Sequence, residues 1–122
     1  MRKLIVAIAL VCSLTERARA EEWTTYDTTL ELTLTAIAVV DYGQTRWFLA
    51  NTPLVEMNPL LGERPNRESM LLFGGAALLG HAAIARLLPN PYRRAWQHAA
   101  ICLWAANISR NATAIGVLRW SF

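Results

Sequence analysis

A chain of 122 residues that is 54% hydrophobic and 17% charged is long enough for one compact domain, and more apolar than an ordinary soluble one. Its formal charge of +3 sits in the first twenty residues, where Arg2, Lys3, Arg17 and Arg19 face Glu16; the remainder holds eight basic and eight acidic side chains. No basic stripe with interleaved aromatics is left, which argues against a nucleic-acid partner, and a single thiol beyond residue 20, Cys102, rules out a disulfide within that part.

The first element, residues 1–20, has the three parts of a secretory signal: Arg2-Lys3, an apolar run over 4–14, and a close in Ala18-Arg19-Ala20. Cleavage after Ala20 is expected, leaving a helical membrane domain over 21–122. An uncleaved anchor is the alternative, because Glu16, Arg17 and Arg19 charge the region before the site, although an 11-residue run is short for a span. A lipid anchor at Cys12 is disfavoured by bulky Val11 before it.

Residues 21–29 read as a polar lead-in. Three membrane helices are then expected, over 30–50, 70–88 and 96–120, forming an all-α, up-down-up bundle. The first is the most polar, with Glu31, Asp41, Gln44 and Arg46; the second is broken only by His81 and Arg86. The third runs from Trp96 to Trp120, with Trp96, Trp104 and Trp120 placed partly as interfacial aromatics would be, and carries Asn107, Arg110 and Asn111. The connection 51–69 holds Pro53, Pro59, Gly62 and Pro65, so it reads as a structured or re-entrant loop. The connection 89–94 is a tight break that makes the last two helices a hairpin. Arginines are shared almost equally between the two ends, so orientation stays open.

Depth can be counted from the end of each helix that faces the 51–69 loop. Asp41 and His81 lie about 13 to 17 Å from it, and Asn107, Arg110 and Asn111 fall in a similar range, with Gln44 and Thr45 slightly nearer. Seven polar side chains are therefore expected to converge on one layer. Asp41 with Thr45, and Asn107 with Asn111, share helix faces, and Gly74, Ala77, His81 and Ala85 form a small-residue stripe that should turn His81 inward. Asp41 and Arg110 are the expected ion pair. An ionisable group at mid-membrane is costly unless paired, so the layer is either polar glue between helices or a substrate or ion site.

The loop adds Glu56, able to fold back over the layer, and Asn58, biased away from helix by Pro59. Asp41, Glu56 and His81 are the candidate catalytic set, with Gln44, Thr45, Asn58, Asn107, Arg110 and Asn111 as candidate binding residues. Two carboxylates and an imidazole suit a metal, but no local ligand spacing supports one, and neither metal nor cofactor is named by the pattern. His98 reads as interfacial and Cys102 as a small core residue. The sequons at Asn107 and Asn111 read as accidental within a membrane helix.

Asp41-x-x-Gln44-Thr45 followed by Glu56-x-Asn58-Pro59-Leu60-Leu61-Gly62 resembles a family of small uncharacterised membrane proteins of bacteria and their phages. The resemblance covers roughly 30–120 and is closest to the phage-encoded subset, with a similar histidine in the second helix and asparagines in the third. It implies a membrane location and a polar site at Asp41, Thr45, Glu56 and Asn58, without a reaction.

The expectation is thus a small protein of the bacterial inner membrane that binds a lipid or a membrane-protein partner through an intramembrane polar site. A membrane hydrolase using Asp41, Glu56 and His81, with or without metal, is one rival. A structural or lysis-related phage membrane factor is another, and a soluble periplasmic bundle is a third because the first span is so polar.

Overall fold

The computed structural model describes residues 22–115 together with Arg119, Ser121 and Phe122. The expected signal segment over 1–20, and Trp120, lie outside these residues. Three helices and no strand occur among the described residues: α1 (Thr25–Asn51), α2 (Arg67–Leu87) and α3 (Tyr92–Ile115).

Helix α1 starts one turn before the apolar run. Thr24 accepts a hydrogen bond from the Asp27 N–H at 3.2 Å, and Asp27 Oδ2 accepts from the Thr24 N–H and hydroxyl, each at 2.8 Å. This reciprocal box satisfies two amides that a helix start leaves bare, so the expected lead-in 21–29 is in large part helix. Thr29, Thr33 and Thr35 turn their hydroxyls back to the carbonyls four residues earlier, at 2.8 to 2.9 Å. The helix ends at Asn51, with Thr52 as its C-cap before Pro53.

The loop to α2 is ordered by its own hydrogen bonds. Glu56 N–H donates to Glu63 O, Asn58 N–H donates to Glu56 Oε1, and the Asn58 carbonyl accepts from Leu61 and Gly62. Gly62 adopts φ 76°, a conformation in which a Cβ would strain the turn. Arg64 reaches back to the carbonyls of Leu49 (3.0 Å) and Thr52 (3.5 Å) and so holds the loop against the C-terminal end of α1. Asn66 caps α2 through Ser69 N–H.

A cis Asn90-Pro91 bond makes the second turn, and α3 begins at Tyr92. Arg93 and Arg94 therefore belong to a helix and not to an exposed connection, and Arg93 is buried. Helices α1 and α3 share the longest interface, and α2 touches each over a shorter stretch. Hydrogen bonds between α1 and α3 join residues separated by 63 to 72 positions all along their length, so the two run parallel in one register with α2 antiparallel between them in sequence.

The interior is as polar as it is apolar. Leu30, Leu34, Phe48, Met70 and Ala85 are buried, and so are Asp27, Gln44, Thr45, His81, Arg93 and Gln97. Large apolar side chains face outward instead, with Leu72 68%, Leu79 75% and Leu103 73% exposed. Among the described residues one helix, α2, is long and apolar enough to cross a membrane, and most of it faces outward. Helices α1 and α3 fall short because of the polar residues they carry, so composition alone does not establish three spans.

Two expectations about packing fail. A Cβ at Gly74, the glycine of the expected small-residue stripe, would meet nothing within 4 Å, so it does not mark a close helix approach. Cys102 is exposed on the outside of α3 and is not a core residue.

Candidate functional site

The polar side chains form two clusters, not one layer. The first lies at the N-terminal end of α1. Arg93 Nη1 pairs with Asp27 Oδ2 at 3.3 Å with both side chains fully buried, and Arg94 Nε stands 4.0 Å from Asp27 Oδ1. Arg93 Nε donates to the carbonyls of Ala85 (3.1 Å) and Leu88 (3.2 Å), which supplies donors to the last turn of α2. Trp23 packs under Arg86 and Arg93, with guanidinium carbons 4.2 and 5.4 Å from its ring centre. One turn along, Gln97 Nε2 donates to Asp27 O (3.1 Å) and Glu31 Oε1 (3.0 Å), and Glu31 Oε2 meets His81 Nδ1 at 3.2 Å. The His81 ring stacks on Trp96, centroids 5.1 Å apart and planes 13° apart.

The Asp27 carboxylate is thus held from both sides, by the backbone and hydroxyl of Thr24 at 2.8 Å each and by the Arg93 guanidinium at 3.3 Å.

The second cluster centres on Asp41. Its Oδ2 accepts from Trp104 Nε1 at 3.2 Å, and its Oδ1 accepts from Asn111 Nδ2 at 2.9 Å and Asn107 Nδ2 at 3.4 Å. Both oxygens are thus held by neutral donors of α3. The expected Asp41–Arg110 ion pair does not form. Arg110 is exposed and donates to Asn107 Oδ1 at 2.7 Å, so it meets the acid only through that amide.

A cavity of about 390 Å³ opens beside Asp41, with Glu56, Asn58 and Thr45 at its polar end and Leu71, Phe73 and Leu78 along its wall. Its lining holds two carboxylates and no basic side chain. Arg110 stands at the rim of a smaller neighbouring cavity that it shares with Glu56, Thr45 and Asn111. Of the candidate residues, Asp41, Thr45, Glu56, Asn58 and Asn107 share one cavity, and Asn111 and Arg110 line the smaller one. Gln44 does not: it is wholly buried, with neither amide atom hydrogen-bonded.

His81 does not join Asp41 and Glu56. It binds Glu31, ten residues before Asp41 on α1 and so about 15 Å away along the helix axis. Among the described residues no group of three or more His, Cys, Asp or Glu side chains is placed to hold a metal ion. The sequence did not single out Asp27, Glu31, Arg93 or Gln97. The spacing Thr24-x-x-Asp27 is a legible helix-start signal that would have drawn Asp27 into the bundle. Trp96 and Trp104, read as interfacial, are hydrogen-bond donors to His81 O and Asp41 respectively. His98 is exposed and meets the Tyr26 hydroxyl at 3.1 Å.

Comparison with family models, with curated proteins and with solved structures finds no match for this chain.

Proposed function

We propose that the chain is a three-span integral membrane protein whose Asp41 cavity binds the polar head of a membrane lipid. The carrying observation is the inversion of burial: Asp27, Gln44, Thr45, His81, Arg93 and Gln97 are inside while leucines of all three helices are outside. In water that arrangement forfeits apolar burial, whereas in hydrocarbon it shields each costly group. Helix α2, at 21 residues, spans about 31 Å, and α1 and α3 are longer. The threonine hydroxyls of α1 bond to their own helix, which lowers the cost of their facing lipid. The likeness of the Asp41 and Glu56 motifs to small bacterial and phage membrane proteins supports the same setting, a bacterial inner membrane.

Cys102 tests the setting. In a Cys12→Ser background, a water-soluble maleimide is expected to leave Cys102 unlabelled in intact, carbonate-washed membranes and to label it after denaturation. Prompt labelling, or release of the chain by carbonate, would overturn the membrane reading.

The cavity chemistry favours a head that donates hydrogen bonds and carries positive charge, because two carboxylates line it without a basic partner. A long-chain primary amine is expected to bind the purified protein at least tenfold more tightly than the matching alcohol. Titration by isothermal calorimetry in mild detergent measures this, and equal affinities would count against the site. A membrane-protein partner donating a lysine into the cavity is the alternative occupant. A hydrolytic use of Asp41, Glu56 and His81 together is not favoured, since the imidazole belongs to the other cluster.

A further inference from the structure

We propose that the groove between α2 and α3 is a second site, which binds a neutral hydroxyl-bearing lipid of the diacylglycerol type with His81 Nε2 as the acceptor for its hydroxyl. The proposal rests on the membrane setting above but not on the Asp41 cavity.

Glu31 Oε2 holds His81 Nδ1 at 3.2 Å, an arrangement in which the neutral imidazole keeps its hydrogen on Nδ1 and offers Nε2 as a lone-pair acceptor. The His81 side chain is 6% exposed, and its buried Nε2 has no hydrogen-bond partner. A buried acceptor without a donor is an arrangement that folded chains avoid unless something else supplies the donor.

His81 lines a groove of about 590 Å³ whose other walls include Ala76, Gly80, Ala100, Leu103 and the stacked Trp96. That volume suits a small amphiphile. Gly80 keeps the groove open, because a Cβ there would meet nothing within 4 Å. Apart from His81 no titratable side chain lines it, and a carboxylate, Glu31, stands behind the imidazole. A phosphate head would find no cation and would be repelled by Glu31. A neutral head with one hydroxyl meets the acceptor, and its chains meet the alanine, glycine and leucine wall.

The experiment uses the full chain in mild detergent and follows quenching of tryptophan emission by dioleoylglycerol brominated on its chains, with Trp96→Phe identifying the groove signal. Three ligands are compared: the diacylglycerol, its O-methyl ether, and phosphatidic acid with the same chains. The free hydroxyl is expected to halve the Trp96 signal at a concentration at least tenfold below that of the ether or the phosphatidic acid. Gly80→Leu is expected to raise the diacylglycerol concentration needed at least tenfold while leaving long-chain amine binding at the Asp41 cavity intact. His81→Phe, which preserves the stack on Trp96, should abolish the preference for hydroxyl over ether.

Equal quenching by hydroxyl and ether, or undiminished binding in Gly80→Leu, would overturn the proposal. The ether comparison on the unaltered chain decides even if His81→Phe does not fold. Retained amine binding with no hydroxyl preference removes this site alone, and carbonate release of the chain removes the setting shared by both.

Discussion

Replacing Arg93 with methionine is expected to destabilise the bundle by about 3–5 kcal/mol, the range for stripping one partner from a buried ion pair. The side chain is 1% exposed and Asp27 is 0% exposed, so water cannot substitute for either. Arg93 also reaches Glu22 O on the approach to α1, at 3.3 Å, and Ala85 O and Leu88 O at the end of α2. One guanidinium therefore binds three segments, and methionine, similar in volume to its stem, removes all of these donors without opening a large void. Reversible denaturation in mixed micelles measures the loss. Adding Asp27→Asn to Arg93→Met should recover part of it, since no buried charge is then left alone. A loss below about 1 kcal/mol, the value for an exposed pair, would contradict the burial of this cluster.

Asp41→Ala is expected to cost about 3 kcal/mol or more, because Trp104, Asn107 and Asn111 all lose their acceptor at once and each orphaned donor is costly away from water. Asp41→Asn separates the structural and binding roles. Its carbonyl can still receive the two asparagines, but its NH₂ faces the Trp104 N–H, and the negative charge is gone. It should cost less stability than alanine while weakening long-chain amine binding at least tenfold, or about 1.4 kcal/mol. A double-mutant cycle of Asp41→Ala with Asn111→Ala should return a coupling above about 0.5 kcal/mol, since the two residues are in direct contact. If Asp41→Asn left amine binding unchanged while the coupling remained, Asp41 would be a tie between α1 and α3 and not a ligand-binding group.

Much of this arrangement was readable from residue order. Proline and glycine positions marked both connections, and the i, i+4 pairing of Asn107 with Asn111 placed both amides on the face that meets Asp41. The small residues around His81 pointed it inward, and it is buried. What failed was depth. Counting from a common end treats helices as equally long and level, whereas α1 ends at Asn51 and α2 begins at Arg67, three residues before the apolar run at Met70. That shift alone moves His81 only about 4.5 Å, whereas Glu31 lies about 15 Å beyond Asp41, so the loop-facing ends of α1 and α2 also stand at different heights in the bundle. Arg93 was misplaced for another reason: beside two prolines an arginine looks solvated, whereas α3 starts at Tyr92 and sets its guanidinium over Trp23 and onto Asp27. Arg110, with an acid at matching depth, looked paired, but Asn107 occupies the space between them.

The parallel register of α1 and α3 has a consequence for how the chain is made. Asp27, Glu31 and Asp41 emerge from the ribosome some 65 residues before Arg93, Gln97, Trp104 and Asn111, the side chains that satisfy them. The most lipid-compatible helix is synthesised between them. In the membrane setting we propose, the first helix would have no companion for its acids during that interval and would have to wait at the interface or in the care of an insertase until the last helix arrives. A polypeptide cut short after α2 would be a substrate for quality-control proteolysis, not a smaller working protein.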